Sequence, residues 1–196
     1  SSEGSDANGV EVASDTRIVY LENGNQITIE SSEGNLAQYN ANSNHIGHGI
    51  GNDDGNGIEK GEFITVDLSD NPVQSMNIGL DGLGGYFDAE DGKDPGDTFW
   101  NSAEIRITYT NEQGQVTHET LNVTKLENSG NNSLTREVTI PESEHGSITK
   151  VEFTTETHGN WELRYIEVNP VDDSFKYEAV DSDGLTSDEK QVSISN

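Results

Sequence analysis

The middle of the chain alternates between apolar and polar positions. AEIRITYTN (103–111) sets Ile105, Ile107 and Tyr109 on one side and Glu104, Arg106 and Thr108 on the other, the two-residue period of a half-buried strand. VTHETLNVTKL (116–126), LTREVTIP (134–141), ITKVEFTTET (148–157) and WELRYIEVNP (161–170) alternate in the same way or nearly so. In the last of these, strict alternation puts Trp161, Leu163 and Tyr165 on one face and Glu162, Arg164 and Ile166 on the other. Earlier in the chain, RIVYL (17–21) and QITIE (26–30) flank the turn signal ENGN. FITVDL (63–68) reads as a strand, and VQSMNIGLDGL (73–83) begins as one with Val73, Met76 and Ile78 inward. EQGQ turns the chain between the strands 103–111 and 116–126. No segment keeps a 3.6-residue period. The pattern predicts an all-β fold, an antiparallel, jelly-roll-like β-sandwich of roughly eight to ten strands.

Two stretches break the pattern. Residues 33–62, ending in GIGNDDGNGIEKGE, have few apolar positions and read as one long loop. GGYFDAEDGKDPGDTFW (84–100) reads as a second. Loops this long inside a domain are usually functional or disordered. They lie on either side of the strand 63–68 and its successor, so antiparallel packing would bring both to one end of the sandwich. The tail, DSFKYEAVDSDGLTSDEKQVSIS (173–195), is a strand, an Asp/Gly turn and a strand. It predicts a hairpin that is marginal on its own. The expected division is a flank (1–16), a β-sandwich ligand-binding domain (17–170) and the closing hairpin of an Ig-like module (171–196), whose other strands are either missing or supplied by the flank. SSEGSD is an unusual start, and the chain is expected to be a segment of a longer protein.

Charge changes the reading of the two loops. The net charge is −27, from 10 basic and 37 acidic residues in 196. Such a chain repels nucleic acid and anionic membranes, and its own compact state is opposed by self-repulsion. Multivalent cations relieve that repulsion, and calcium takes the oxygen ligands in which this sequence is rich. In the first loop Asn52, Asp53, Asp54, Asn56, Glu59 and Glu62 crowd together, and the glycines between them let carboxylates and carbonyls converge. Asp53, Asp54, Asn56, Glu59 and Glu62 are therefore expected to form one calcium site. In the second loop Asp81, Asp88, Asp91 and Asp97 are expected to form another, nearer the ligand, with Gly84, Gly85, Tyr86 and Trp100 shaping a pocket. The first loop does not follow the EF-hand spacing and nothing repeats as a glycine-rich nonapeptide does.

Other chemistry is thinly represented. The chain has no cysteine, which excludes disulfides, thiolate zinc sites and cysteine nucleophiles. His45 and His48 form a faint zinc-like pair with no evident third ligand. Carboxylates are too common for any pair to indicate glycoside hydrolysis, and no nucleophile-elbow, phosphate-loop or dinucleotide motif occurs in context. The chain is not expected to be an enzyme. No stretch reaches the roughly 18 apolar residues of a membrane span. Arg164, one of few basic residues, is either a surface ion pair or an anchor for an anionic ligand.

The tail resembles the closing hairpin of the Ig-like modules in large bacterial repeats-in-toxin (RTX) adhesins, through Asp173, Phe175, Tyr177, Ala179, Asp181, Asp183 and Gly184. HIGHGIGNDDGNGIEKGEFITVDL resembles a segment of a β-sandwich domain found near the tip of such adhesins, through Gly49, Ile50, Gly51, Ile58, Glu59, Gly61 and Glu62. It departs from that pattern at Asn52, where valine is usual. The resemblance implies an extracellular, cell-surface module with calcium (Ca2+) as cofactor. One class of tip domain is inserted in a split Ig-like module and uses calcium to capture a peptide's C-terminal carboxylate. The expected function is calcium-dependent capture of peptide or protein C-termini on host or other cell surfaces, by a monomeric module of a longer chain. A glycan-binding, lectin-like adhesin domain is the alternative, followed by a calcium-rigidified spacer and a polysaccharide-degrading enzyme.

Overall fold

A computed structural model describes residues 10–13, 15–21, 25–39, 49–52, 57–83, 86–88, 98–124, 135–156, 159–170, 173–177 and 190–194. The strands in chain order are β1 (Val10–Ala13), β2 (Thr16–Tyr20), β3 (Gln26–Ser31), β4 (Leu36–Tyr39), β5 (Gly49–Asn52), β6 (Ile64–Asp67), β7 (Val73–Asp81) and β8 (Tyr86–Asp88). They continue with β9 (Thr98–Trp100), β10 (Ser102–Thr110), β11 (Val116–Thr124), β12 (Arg136–Ile140), β13 (Ser147–Thr155), β14 (Glu162–Pro170), β15 (Asp173–Tyr177) and β16 (Lys190–Ile194).

Every pairing is antiparallel. One sheet runs β1-β2-β3-β6-β13-β10-β11 and the other β12-β7-β14-β5-β4; they join through the single pair Ile148↔Val73. The sheets face each other across one apolar core. Ile64, Val66, Ile105, Ile107, Val151 and Phe153 come from the first; Met76, Ile78, Leu80, Ile140 and Leu163 come from the second. Burial of each such side chain contributes about 1.5–3 kcal/mol, which is how short alternating strands with little intrinsic stability hold together. The expected all-β antiparallel sandwich is what forms. The alternation at 103–110 is realised at its centre, where Ile105, Ile107 and Tyr109 are buried and Arg106 is exposed, while Thr108 on the polar side is buried as well. The EQGQ turn is closed by Asn111, whose Oδ1 accepts from Gln113 N at 3.0 Å and Gln115 N at 2.8 Å, with Gly114 at φ 74°.

Both supposed loops contain strands. β4 and β5 pair from Leu36↔Asn52 to Tyr39↔Gly49 inside the stretch 33–62, and β8 and β9 pair from Tyr86↔Trp100 to Asp88↔Thr98 inside 84–100. β4 and β5 have too few apolar residues to show a local period, and β8 and β9, of three residues each, are too short to show one; Leu36 and Ile50 are the buried apolar side chains that anchor the first pair. β15 and β16 form the predicted hairpin as a separate two-stranded sheet, while β1 pairs with β2 in the main sheet.

The second departure is a β-bulge. Leu163 pairs with Leu80, but Tyr165 pairs with Gly79, so Arg164 is the extra residue. A bulge of one residue exchanges the faces beyond it. Leu163 and Ile166 therefore both face the core with Leu80 and Ile78, and Tyr165 turns outward onto the face that carries Glu162. The expected grouping of Tyr165 with Trp161 and Leu163 is wrong for this reason.

Candidate functional site

The residues that flank the two acidic stretches meet at the start of β14. Asn52 N donates to Gly57 O at 3.1 Å, and Ile58 N donates to Trp161 O at 2.8 Å. Gly57 has φ 92°, and a Cβ there would lie 2.7 Å from the Trp161 carbonyl oxygen, so the contact requires glycine. Trp161 is fully buried, packs edge-on against Phe153 at 6.1 Å and donates its indole N–H to Thr154 O at 3.2 Å. On the other side, Asn101 Nδ2 donates to Gly82 O at 3.2 Å and to Asn160 O. Residues 57–62, 81–83, 101 and 160–162 thus converge. The cause is not the adjacency of β6 and β7, which do not pair, but the attachment of residues 57–58, the end of β7 and Asn101 to β14 and the residues just before it.

Of the proposed calcium ligands, Asp81 is fully buried, and Glu162, its cross-strand partner, is 2% exposed. Directly opposed residues of an antiparallel pair share a face, so these two buried acids are neighbours on it, and Asp81 Oδ1 accepts from Gly82 N at 2.8 Å. They are hard oxygen donors of the kind calcium takes, and this donor chemistry fits the ion. Glu162 was not singled out in the sequence because acids are common there and only the register with Asp81 distinguishes it. Glu62 is buried, and its Oε2 accepts from Glu59 N at 2.8 Å, which closes the turn that follows Ile58. Its carboxylate is committed in part to the loop itself. Asp53, Asp54, Asn56, Gly84, Gly85, Asp91 and Asp97 lie outside the described residues. Tyr86 and Trp100 are partners in register, and Asp88 is in β8; their side chains also lie outside. Among the described residues, no group of three or more His, Asp or Glu side chains gathers as a metal centre.

One register step from Asp81 and Glu162, the outer face of β12, β7 and β14 is polar and open. Its rows run Glu137–Gly79–Tyr165, Thr139–Asn77–Glu167 and, on the last two strands, Ser75–Asn169. Thr139 Oγ1 donates to Asn77 Oδ1 at 2.9 Å and Asn169 Nδ2 to Ser75 Oγ at 2.8 Å. In the first row Tyr165 crosses the central strand and donates its hydroxyl to Glu137 Oε1 at 2.6 Å. The crossing is possible because position 79 has no side chain: a Cβ there would lie 2.8 Å from Tyr165 Cζ and closer still to Cδ1 and Cε1. The Tyr165 hydroxyl titrates above its usual range, first because it donates to Glu137, then through partial burial and the charges of Glu137 and Glu167; Arg164 opposes the shift. The Arg164 guanidinium carbon lies 5.9 Å from the centre of the Tyr165 ring, so the expected Arg164 site residue is on this face. Gly79 and Glu137 were not legible as site residues; a glycine within NIGLD was the one available signal of a close approach.

A second cleft lies at the other end of the sandwich. Tyr109, Glu119, Pro141, Glu142 and His145 help to line a cavity of about 390 Å³. The Tyr109 hydroxyl donates to Glu119 Oε2 at 3.1 Å, and burial, followed by that bond and the carboxylate's charge, pushes the phenol up to about 12. A raised pKa means the folded state favours the neutral phenol. Its contribution is complete below pH 10, where the unfolded phenol begins to ionise, and is lost as pH rises toward 12. Glu119 is exposed, so solvent screening limits the effect to about 1 kcal/mol. Unfolding in urea at pH 8 and pH 11.5 should show that extra loss in the native sequence and not in Tyr109→Phe; an equal loss in both would remove the assignment.

No family model matches the chain, and no curated protein sequence matches it. Solved structures are similar to it, among them two carbohydrate-binding modules. One is a family 6 carbohydrate-binding module studied by sub-site dissection, at 16% identity over 80% of this chain and 95% of that one, with a TM-score of 0.37. The other is CsCBM6-3 from Clostridium stercorarium in complex with cellobiose, at 12% identity over 85% of this chain and 90% of that one, with a TM-score of 0.31. Likeness at this level assigns neither a family nor a ligand.

Proposed function

We propose that this chain is a carbohydrate-binding module that holds a saccharide on the outer face of β12, β7 and β14, with calcium at the adjoining acids. The observation that carries the reading is Tyr165, an aromatic ring held across an open polar sheet face by a glycine beneath it and a carboxylate at its tip. A ring so placed offers apolar surface to the C–H face of a sugar, while Glu137, Thr139, Asn77 and Asn169 offer hydrogen bonds to its hydroxyls. The reading is one of binding without turnover: Glu137 already accepts the tyrosine hydroxyl, and Asp81 and Glu162 are buried rather than open on the face.

Calcium is supported by the donor chemistry of Asp81 and Glu162 and by the net charge of −27. When bound, the ion would offset the repulsion between the two carboxylates and tie the start of β14 to the end of β7. An extracellular place within a surface adhesin is supported by the residue match to the RTX modules. That same match supports a second reading, in which calcium takes a peptide's C-terminal carboxylate.

The test is binding to a panel of immobilised oligosaccharides in millimolar calcium, with Tyr165→Ala alongside. Retention of one saccharide class by the native chain and its loss in the variant supports the reading. Equal binding by both, or binding to no saccharide, defeats it.

A further inference from the structure

Asn101, the residue that leads into β10, holds a buried oxygen that nothing in the fold uses. The residue is 1% exposed. Its Nδ2 donates twice, to Gly82 O at 3.2 Å and to Asn160 O. Its Oδ1 is buried and has no hydrogen-bond partner among the described residues. Turning the amide over does not cure this. A flipped carboxamide would set its oxygen against two carbonyl oxygens, neither of which has a proton to give. The two carbonyls therefore fix which end of the side chain is nitrogen and which is oxygen.

A buried acceptor without a donor forgoes its hydrogen bonds to water and gains none in return, so folded proteins keep few of them and a bound ion is one reason to keep one. The surroundings of Asn101 indicate which ion. Gly82, whose carbonyl holds the amide, follows Asp81, and Gly82 N donates to Asp81 Oδ1 at 2.8 Å. Asn160, whose carbonyl is the other holder, lies two residues before Glu162, and Glu162 opposes Asp81 across the strands. The carboxamide is thus clamped between the two segments that carry the buried acids. Aspartate, glutamate and asparagine oxygens are the side-chain donors that calcium takes. Two carboxylates and one neutral oxygen match a divalent charge.

We propose that Asn101 Oδ1 is a calcium ligand and acts with Asp81 and Glu162. The proposal rests on the calcium part of the reading above and adds a residue that carries no charge and so escapes any search for acids. It also gives the ion a structural task. Asp81 and Glu162 belong to β7 and β14 of one sheet, whereas Asn101 leads into β10 of the other. The two sheets are hydrogen-bonded to each other through Ile148↔Val73, at the start of β7. Asp81 is at the other end of that strand. An ion shared by Asp81, Glu162 and Asn101 would close the sandwich there, in the way a metal adds to the stability of the fold that assembles its ligands.

The experiment uses calcium alone as the probe. The native chain and Asn101→Ala are titrated with calcium by calorimetry, and each is melted in calcium and in chelator. A residue that only clamps Gly82 and Asn160 and a residue that binds the ion give different results. Loss of a clamp lowers melting in both buffers and leaves the calcium-induced rise as it is in the native chain. Loss of a ligand weakens calcium binding by about tenfold or more, since even partners one shell out from a metal cost that much, and most of the rise disappears. The side-chain carbonyl resonance of Asn101 is followed by NMR in the native chain as well. It should move on calcium addition by more than that of Asn169, at the far end of β14, and it decides the question alone if the variant does not fold. Calcium binding by the native chain with unchanged affinity in Asn101→Ala, or with the Asn101 resonance unmoved, overturns the proposal and leaves calcium at Asp81 and Glu162. A native chain that binds no calcium overturns both.

Discussion

A Gly79→Ala variant is expected to fold and to lose its ligand. The added methyl would stand 2.8 Å from Tyr165 Cζ and closer to two other ring carbons, so the ring cannot stay where it is. The obstacle is a half-buried side chain on the solvent face, not backbone, and the ring has room to swing outward. Melting should change little, because alanine is better suited than glycine to a strand interior, by about 0.5–1 kcal/mol, which offsets the lost Tyr165–Glu137 bond. Binding should fall by a factor of about 30 or more, the size of effect seen when an aromatic anchor leaves a ligand site. Tyr165→Ala should match it, and Tyr165→Phe should fall between, since it keeps the ring and loses the bond to Glu137. Calorimetry on the three variants separates these outcomes. If Gly79→Ala binds as the native chain does, the site is elsewhere.

Calcium should raise the melting temperature by roughly 5–10 °C over chelator, the shift expected for a chain of this size when the ion is present at about a hundred times its dissociation constant. Asp81→Asn combined with Glu162→Gln should remove that rise. Loss of the rise in the double variant, with melting in chelator measured in parallel, is the mark of a cation site at this pair. A native chain that melts at the same temperature in both buffers would show that the acids are a solvated cluster, and the calcium part of the proposed function would go with them. A double variant that still responds to calcium would move the ion to residues other than this pair.

The sandwich was legible because each strand announces itself locally. Ile105, Ile107 and Tyr109 recur every second position and all three are buried; Val73, Met76 and Ile78 behave as expected too. β4, β5, β8 and β9 were not legible. Leu36 and Ile50 are single apolar residues among glycines and asparagines, and what makes their segments strands is a partner, β14, that passes beside them through Leu163↔Ile50. Asp81 was recognised as a candidate ligand, but Glu162 became one only through its register with Asp81. Arg164 was recognised as a rare cation, but its place beside the Tyr165 ring follows from a bulge against β7 that nothing in the sequence reveals.

The sequence by itself determined the class of fold, the acidic character that makes calcium a reasonable partner, and the exclusion of cysteine chemistry. These depend on composition and on a two-residue period, both of which are local. Tertiary structure decided which residues share the outer face of β12, β7 and β14. The bulge at Arg164 turns Tyr165 from the core side to the solvent side, and Gly79 gives it a path across the sheet. A bulge is a mismatch between two strands, so it does not exist until they pair, and no property of either strand alone contains it.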